Sequence, residues 1–421
     1  MLEDSEINLF ETIVAPLQPF INEAAQTIKP DSETYKLSLV PFIQNLLFGV
    51  VAGIKTVGLL ITEIKTSPIA KELNLVNASK SMYSEAFSRY EPELFRNIFC
   101  QLLNNTEFIE IPEINSLGRI LLIDGSVFPA ISTMEWAKYK GTANALKLHL
   151  AFELNRMIPV QFISTEANYS ERKFLEEIIE KGETYVCDRG YISFKAFAAI
   201  SLKEAFFIIR GKSNMKYSKK GDLDVTIPDE FAPFLTNVKD TKVEFIDDKS
   251  GIEYRIVSFS AIGESYILIT NRLDLTTYEV IMLYAYRWQV ELCFRFLKRT
   301  LNCIHLMSHD PKGIEIQFYI YMITYLLLIS LKQKCETINE KHQVKKPELK
   351  EEDKLSSNSC NNNNRDIKYK QERRYVRGLV TLLGKGLQKY WKIGIHWLTV
   401  VRNLLLTPFN LATVRTIVLR Q

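Results

Sequence analysis

The sequence predicts an α/β fold: a mixed sheet with flanking helices, a β-rich insertion, a helical N-terminal domain and a basic helical C-terminus. Three observations predict it. Apolar runs of strand length in mid-chain end at Asp-Gly and Asp-Arg-Gly turns, around residues 119–128 and 183–190. Helix-period stretches then alternate with further strands, the pattern of helices laid over a sheet. Both flanks of that region are helical in pattern and carry few strand signals.

The first 115 residues hold 8 Lys/Arg against 15 Asp/Glu, a local net of −7, so they read as a packed helical domain and make a poor electrostatic platform for DNA. A role in binding DNA ends would have to rest on specific contacts. Residues 119–128, RILLIDGSVF, form an apolar run expected as a strand stopping at the Asp-Gly turn. Strands over 146–154 and 157–164 follow, joined through Asn155-Arg156 as a hairpin. A helix over 171–181 ends at Gly182, a strand covers 183–187, and a helix covers 193–203. Residues 205–274 read as a β insertion, with strands at 206–210, 242–246, 254–260 and 266–270 and polar loops such as 211–224. Residues 277–302 are helical in pattern, and 314–332 is a nearly all-apolar helix expected in a core.

Residues 334–372 include KKPELKEEDK and SSNSCNNNN, with almost nothing to bury, and read as a flexible low-complexity linker. The helical pattern returns over 373–421. From residue 365 onward there are 12 Lys/Arg and 2 acids, a net of +10. Arg373, Arg374, Arg377, Lys385, Lys389 and Lys392 are therefore candidates for a surface on the DNA backbone. The expected domains are thus 1–115, 116–333, the linker 334–372, and 373–421.

Composition excludes several classes. A chain of 421 residues has room for two or three domains, and 47% hydrophobic residues can fill their cores. A net charge of +4 excludes a histone-like protein. The six cysteines form no CxxC pair, which excludes zinc ribbons and thioredoxin motifs and fits reduced cytoplasmic thiols. The acidic N-terminus has no basic segment followed by an apolar one, so no signal peptide is expected. Lys55 breaks the apolar stretch 46–62, and 316–331 falls short of the roughly 20 residues that span a bilayer. Both are expected as buried helices, with no membrane partner.

Three acidic residues stand in unusual settings. Asp124 and Asp188 end apolar strands, and Glu291 lies between Val290 and Leu292 on an aromatic-rich helix. Burying an unpaired charge is costly, so such carboxylates are paired, protonated or bound to metal. Grouped carboxylates are hard ligands suited to Mg²⁺ or Mn²⁺. Each alone has a plainer reading: a turn, an ion pair, a solvated helix face. Glu291 has company, however. At about 100° per residue, Tyr284, Arg287, Glu291 and Lys298 fall within one narrow stripe, with Arg295 at its border. A lone carboxylate among cations and a tyrosine hydroxyl suits an anionic ligand such as phosphate. Leu283, Trp288, Phe294, Phe296 and Leu297 fill the other faces, so the stripe is expected on a groove wall.

The spacing Tyr-x2-Arg-x3-Glu-x6-Lys over 284–298 resembles the signature of DDE-type transposases of the insertion-sequence family four. LITN at 268–271, IDGS around Asp124 and CDRGY around Asp188 resemble the accompanying motifs of that family. Asp124 and Asp188 are 64 residues apart, and 103 residues separate Asp188 from Glu291, a gap that fits the family's β-rich insertion. The resemblance covers residues 119–331, about half the chain. It implies a ribonuclease H-like core in which Asp124, Asp188 and Glu291 are catalytic and hold Mg²⁺, with Mn²⁺ as a substitute. It implies that Tyr284, Arg287 and Lys298 bind DNA; Arg295, bordering the stripe, is a further candidate for DNA binding. The partners are then double-stranded DNA, at the element's inverted-repeat ends and at a target, and a second copy of the chain on that DNA. The location is the bacterial cytoplasm, with the nucleoid. The implied activity is end cleavage and strand transfer. The alternatives are a nuclease of the same fold and a non-catalytic DNA-binding repressor derived from a transposase.

Other candidates are weaker. Cys303, His305 and His309 have a zinc-like spacing without an evident fourth ligand. His149 and His396 lie on apolar segments and read as core histidines. Ser126 lacks a His or a GxSxG context, and Gly384 and Gly386 make no dinucleotide fingerprint.

Overall fold

The computed structural model describes residues 9–28, 37–108, 110–130, 134–139, 143–229, 231–261 and 263–344. The basic segment 373–421, His396 and most of the expected linker lie outside the described residues. The described residues form two compact units, one of those up to Phe108 together with Arg299–Val344, the other of those from residue 110 to Lys298.

The first unit is helical. Its N-terminal helices are α1 (Leu9–Val14), α2 (Gln18–Thr27), α3 (Leu39–Val51), α4 (Val57–Thr66), α5 (Pro68–Glu72), α6 (Lys80–Arg89) and α7 (Pro92–Asn105). Local signals place their ends: the Thr56 and Ser79 side chains cap α4 and α6, and Pro92 opens α7. The apolar helix expected near 314–332 runs from Pro311 to Val344 and packs on α3, α6 and α7. It is long and apolar enough to cross a membrane, and most of its apolar stretch is buried in the unit.

This helix departs from the expected boundaries in two ways. Residues from Arg299 to 333 join the N-terminal helices and not the sheet, because their apolar side chains, Ile316 to Ile329, need helix faces to cover them. The first eleven residues of the expected linker, 334–344, continue the helix. They include Lys, Gln and Glu, which extend an existing helix at little cost.

The second unit begins with α8 (Pro112–Asn115) and carries one sheet. Its strands are β1 (Ile120–Ala130), β2 (Lys138–Tyr139), β3 (Ala143–Glu153), β4 (Ile158–Glu166), β5 (Thr184–Cys187), β6 (Phe206–Arg210), β7 (Tyr217–Asp222), β8 (Thr236–Phe245), β9 (Tyr254–Ala261) and β10 (Glu264–Thr270). The order is β2-β3-β1-β5-β6-β10-β9-β8-β7, with β4 also pairing to β3. Strands β1, β5 and β6 are mutually parallel and the other pairings are antiparallel. The expected mixed α/β class is therefore observed. The helices are α9 (Glu171–Glu177), α10 (Phe194–Leu202), α11 (Thr277–Tyr286) and α12 (Trp288–Arg295). One buried cluster gathers Ile123, Tyr185, Cys187, Phe207 and Ile209 of the sheet with Phe174 and Phe197 of the helices.

Two local expectations change. Strand β1 does not stop at Asp124-Gly125 but runs on to Ala130, because β3 pairs with it from Leu121↔Glu153 through Ala130↔Asn144. The expected loop 211–224 contains β7, whose residues are mostly exposed and so show no apolar alternation. The insertion strands extend the same sheet.

Candidate catalytic site

Sheet register brings the two aspartates together. Ile123 of β1 lies opposite Cys187 of the parallel β5, so Asp124 and Asp188, the next residue of each chain segment, stand on neighbouring strands at the same level. Asp188 leaves the sheet there. Its Oδ1 accepts from the Gly190 amide at 2.7 Å and caps a one-turn 3-10 helix over Arg189–Tyr191. Asp124 Oδ1 accepts from the Gly125 amide at 2.8 Å.

The third carboxylate comes from α12, which packs against β1. Thr276 and Glu279 form a capping box that starts α11, and Arg287 stands at the junction of α11 and α12. Its guanidinium bridges two acids: Nη2 donates to Glu291 Oε1 at 2.6 Å, and Nη1 lies 3.7 Å from Asp124 Oδ2. Tyr284 is buried, with its ring 6.0 Å from that guanidinium.

Lys298 reaches the site by a route that a single helical wheel does not describe. Residues Phe296–Thr300 form a π-helical turn, so the angular count fails past Arg295. Lys298 Nζ nonetheless donates to Ser126 Oγ at 2.8 Å and to the Val127 carbonyl at 2.7 Å, two and three residues beyond Asp124. Its ammonium also lies over the Phe128 ring. Arg295 is exposed, and its guanidinium sits over Trp288, 5.6 Å from the ring centre. The structure thus gathers Asp124, Glu291, Arg287 and Lys298 around the middle of β1, with Asp188 alongside.

The electrostatics follow from burial. Burial pushes the Asp124 carboxyl up to about 6, against the pull of Arg287 and the Gly125 amide, while Asp188 and Glu291 add to the rise. Burial works against the charge on Arg287, but Tyr284, Glu291 and Asp124 outweigh it and hold its pKa above the ordinary value. Among the described residues no group of three His, Cys, Asp or Glu side chains stands close enough to hold a metal ion, the Cys303, His305 and His309 set included. Between Asp124 and Glu291 the cation present is Arg287. The donors themselves are hard oxygens on partly buried carboxylates, and burial is the first cause of the raised Asp124 pKa, with Asp188 and Glu291 adding to it. That donor set fits a divalent cation such as Mg²⁺.

The sequence reading missed two residues here, Lys147 and Glu171. Lys147 of β3 makes an ion pair with Glu171, the first residue of α9. The signal was present: Lys147 and His149 are two apart on an apolar strand, hence on one face. His149 is fully buried, its Nε2 is 3.1 Å from Thr165 Oγ1, and its Nδ1 has no hydrogen-bond partner. Burial and Lys147 pull its pKa down to about 4, so the ring is neutral.

A family model described as the transposase DDE domain matches residues 115–327. A protein of Sinorhizobium fredii named as transposase y4zB is 31% identical over 220 residues, 50% of this chain and 61% of its own length. A protein of Geobacillus stearothermophilus named as a transposase for insertion sequence element IS5377 is 25% identical over 198 residues, 46% of this chain and 52% of its own. A third, from Synechocystis and named for insertion sequence element IS4SA, is 24% identical over 291 residues, 64% of this chain and 78% of its own. The chain thus spans between half and two thirds of the first two relatives. Among solved structures, the piggyBac transposase synaptic complex with hairpin DNA aligns at a TM-score of 0.37 and 10% identity, over 81% of this chain and 82% of that one.

Proposed function

As the chain belongs to the transposase DDE domain family, we propose that it is a DNA transposase that cuts the ends of a mobile element and joins the freed 3′-hydroxyls to a target. The observation that carries this reading is the Arg287 bridge between Asp124 and Glu291, with Asp188 on the next strand and Lys298 beside Ser126.

Asp124, Asp188 and Glu291 would hold Mg²⁺, or Mn²⁺ in its place. When bound, such ions activate a water or a 3′-hydroxyl and stabilise the leaving oxygen of a phosphodiester. The rest falls to the chain's own groups. Arg287 offers a planar fork of donors to a phosphate, which must compete with Glu291 for them. Tyr284 backs that guanidinium and keeps it in place. Lys298 supplies a point charge along β1 just past Asp124, and its hydrogen bonds to Ser126 and Val127 hold it there before DNA arrives. Arg295, exposed at the edge, serves as an outer phosphate contact.

We further propose that the antiparallel β4-β3-β1 half of the sheet, continued by the parallel β5 and β6, is a ribonuclease H-like core of the insertion-sequence family four type. On this reading the substrate is double-stranded DNA, the chain acts as a homodimer on it, and the place of action is the cytoplasm beside the nucleoid. The helices of residues 1–115 bind DNA ends by specific contacts, and the basic residues of 373–421 neutralise backbone phosphates.

The test is an assay with a pre-cut element end and a supercoiled target in Mg²⁺. Joined products that disappear in Asp124→Asn support the transposase. Nicking without joining identifies a nuclease, and tight end binding with neither identifies a repressor.

A further inference from the structure

Both aspartate motifs carry a glycine, and one ion pair accounts for both. Neither Gly125 nor Gly190 has a positive φ, so backbone conformation does not demand glycine at either place. Space does. A Cβ on Gly125 would lie 2.8 Å from Lys147 Cε, 3.4 Å from Glu171 Oε1 and 3.4 Å from His149 Nδ1. A Cβ on Gly190 would lie 2.8 Å from Glu171 Oε2 and 3.0 Å from Asp188 Oδ1. The two oxygens of one carboxylate therefore rest against the residue after Asp124 and the residue two past Asp188.

That carboxylate is held in place. Its partner Lys147 extends from β3, where it lies opposite Val127 of β1, and the two side chains are only 14% and 26% exposed. An ion pair this sheltered is screened less by salt than one at the surface, so either charge left alone is felt by its neighbours. The Glu171 carboxylate touches Gly125 and Gly190, one and two residues from the two aspartates.

We propose that Lys147 and Glu171 are positioning residues that set the net charge beside Asp124 and Asp188, and through it the affinity of that site for a divalent cation. The pair is neutral as a unit, sits against both motif glycines, and keeps a fourth carboxylate from adding its charge to the site. This rests on the reading of Asp124 and Asp188 as cation ligands. The plainer reading is a structural tie between β3 and α9, and the two differ in sign. A tie predicts that losing either partner does similar damage. Charge setting predicts opposite effects.

The experiment measures Mn²⁺ binding to the full chain by calorimetry, with thermal melts as a check on folding. Lys147→Met leaves the Glu171 charge unbalanced and tightens Mn²⁺ binding about five- to tenfold, the scale on which a unit charge acts on a divalent ion several ångströms away with water-like screening. Glu171→Gln leaves the Lys147 charge and weakens binding by a similar factor. The double variant returns to within about twofold of the original chain. Should Lys147→Met fail to fold, Lys147→Gln takes its place with the same expected direction. Shifts of the same sign in both single variants, or no shift in either, overturn the proposal. Asp124→Asn is the control. If it leaves Mn²⁺ affinity unchanged, the ligand reading itself has failed and this proposal falls with it. If it abolishes binding while the pair variants show no opposed shifts, only the role of the pair is overturned.

Discussion

Two arginines in the same sheet unit each hold carboxylates, and they do so differently. Arg255 of β9 meets Asp240 of β8 with Nε at 2.8 Å and Nη2 at 2.5 Å, both side chains at most 3% exposed. Its Nη1 donates to the carbonyls of Arg272 and Leu275, and Asp240 also accepts from Thr277. Arg287 makes one short bond to Glu291 and one ion-pair contact of 3.7 Å to Asp124, with the three side chains between 17% and 29% exposed. The first arginine is fully engaged at a buried seam. The second faces more negative charge than it can pair and stays within reach of solvent. A satisfied buried pair leaves no charge to spare, whereas the Arg287 cluster, two carboxylates on one guanidinium, keeps an excess of negative charge of the kind that a further cation balances.

The sharpest way to break the comparison is to remove one carboxylate. Asp124→Asn is expected to lower strand transfer by on the order of 10⁴-fold, the scale for a residue acting as part of a catalytic unit. End binding should remain, as read by gel shift. Retained joining would show that the Arg287 cluster is structural after all.

Stability should separate the two arginines next. Arg255→Met strands the buried Asp240 and is expected to cost about 3–5 kcal/mol in urea denaturation. Arg287→Met should cost about 1 kcal/mol, since its partners reach water. Equal losses would erase the distinction.

Asp124 also carries a pH signature in the metal-free protein. Its folded-state pKa of about 6 lies above the ordinary 3.8, so the folded chain keeps a proton that the unfolded chain releases. The stability this contributes is fully present below about pH 4 and is lost as pH rises through 6. Asparagine carries no such charge. Relative to the original chain, Asp124→Asn should gain up to about 3 kcal/mol above pH 6 and nothing below pH 4, on roughly 1.4 kcal/mol per unit. A pH-independent difference between the two unfolding curves would contradict the burial argument.

The smallest expected effect is on DNA affinity. Arg287→Ala and Lys298→Ala should each weaken end binding about tenfold and lower the salt slope by about one ion. Arg255→Ala, if folded, should leave the slope unchanged. A slope unmoved by Arg287→Ala would assign that residue to structure.

Much of this was legible in the order of residues. Apolar runs of strand length located β1, β3, β4, β5, β6, β9 and β10, because a strand buried on one face or both must be apolar there whatever it pairs with. Asp124, Asp188 and Glu291 stood out for the same reason, as charges set in apolar surroundings. Partnership was another matter. That β1 passes through Asp124-Gly125 follows from pairing with β3, and local turn chemistry argues the other way. That β7 is a strand follows from the edge of β8, since its own residues are exposed and polar. The apolar helix of residues 314–332 announced its burial but not which helices would cover it. Lys298 finds Ser126 through a π turn that no angular count contains, and Glu171 meets both motif glycines only because α9 folds back against β1 and the 3-10 turn after Asp188. Sequence alone determined which residues must be buried and which must be charged, because those are properties of single side chains against water. The tertiary structure decided which of them meet, because a contact between residues far apart in the chain depends on register and crossover, which only the packed sheet defines.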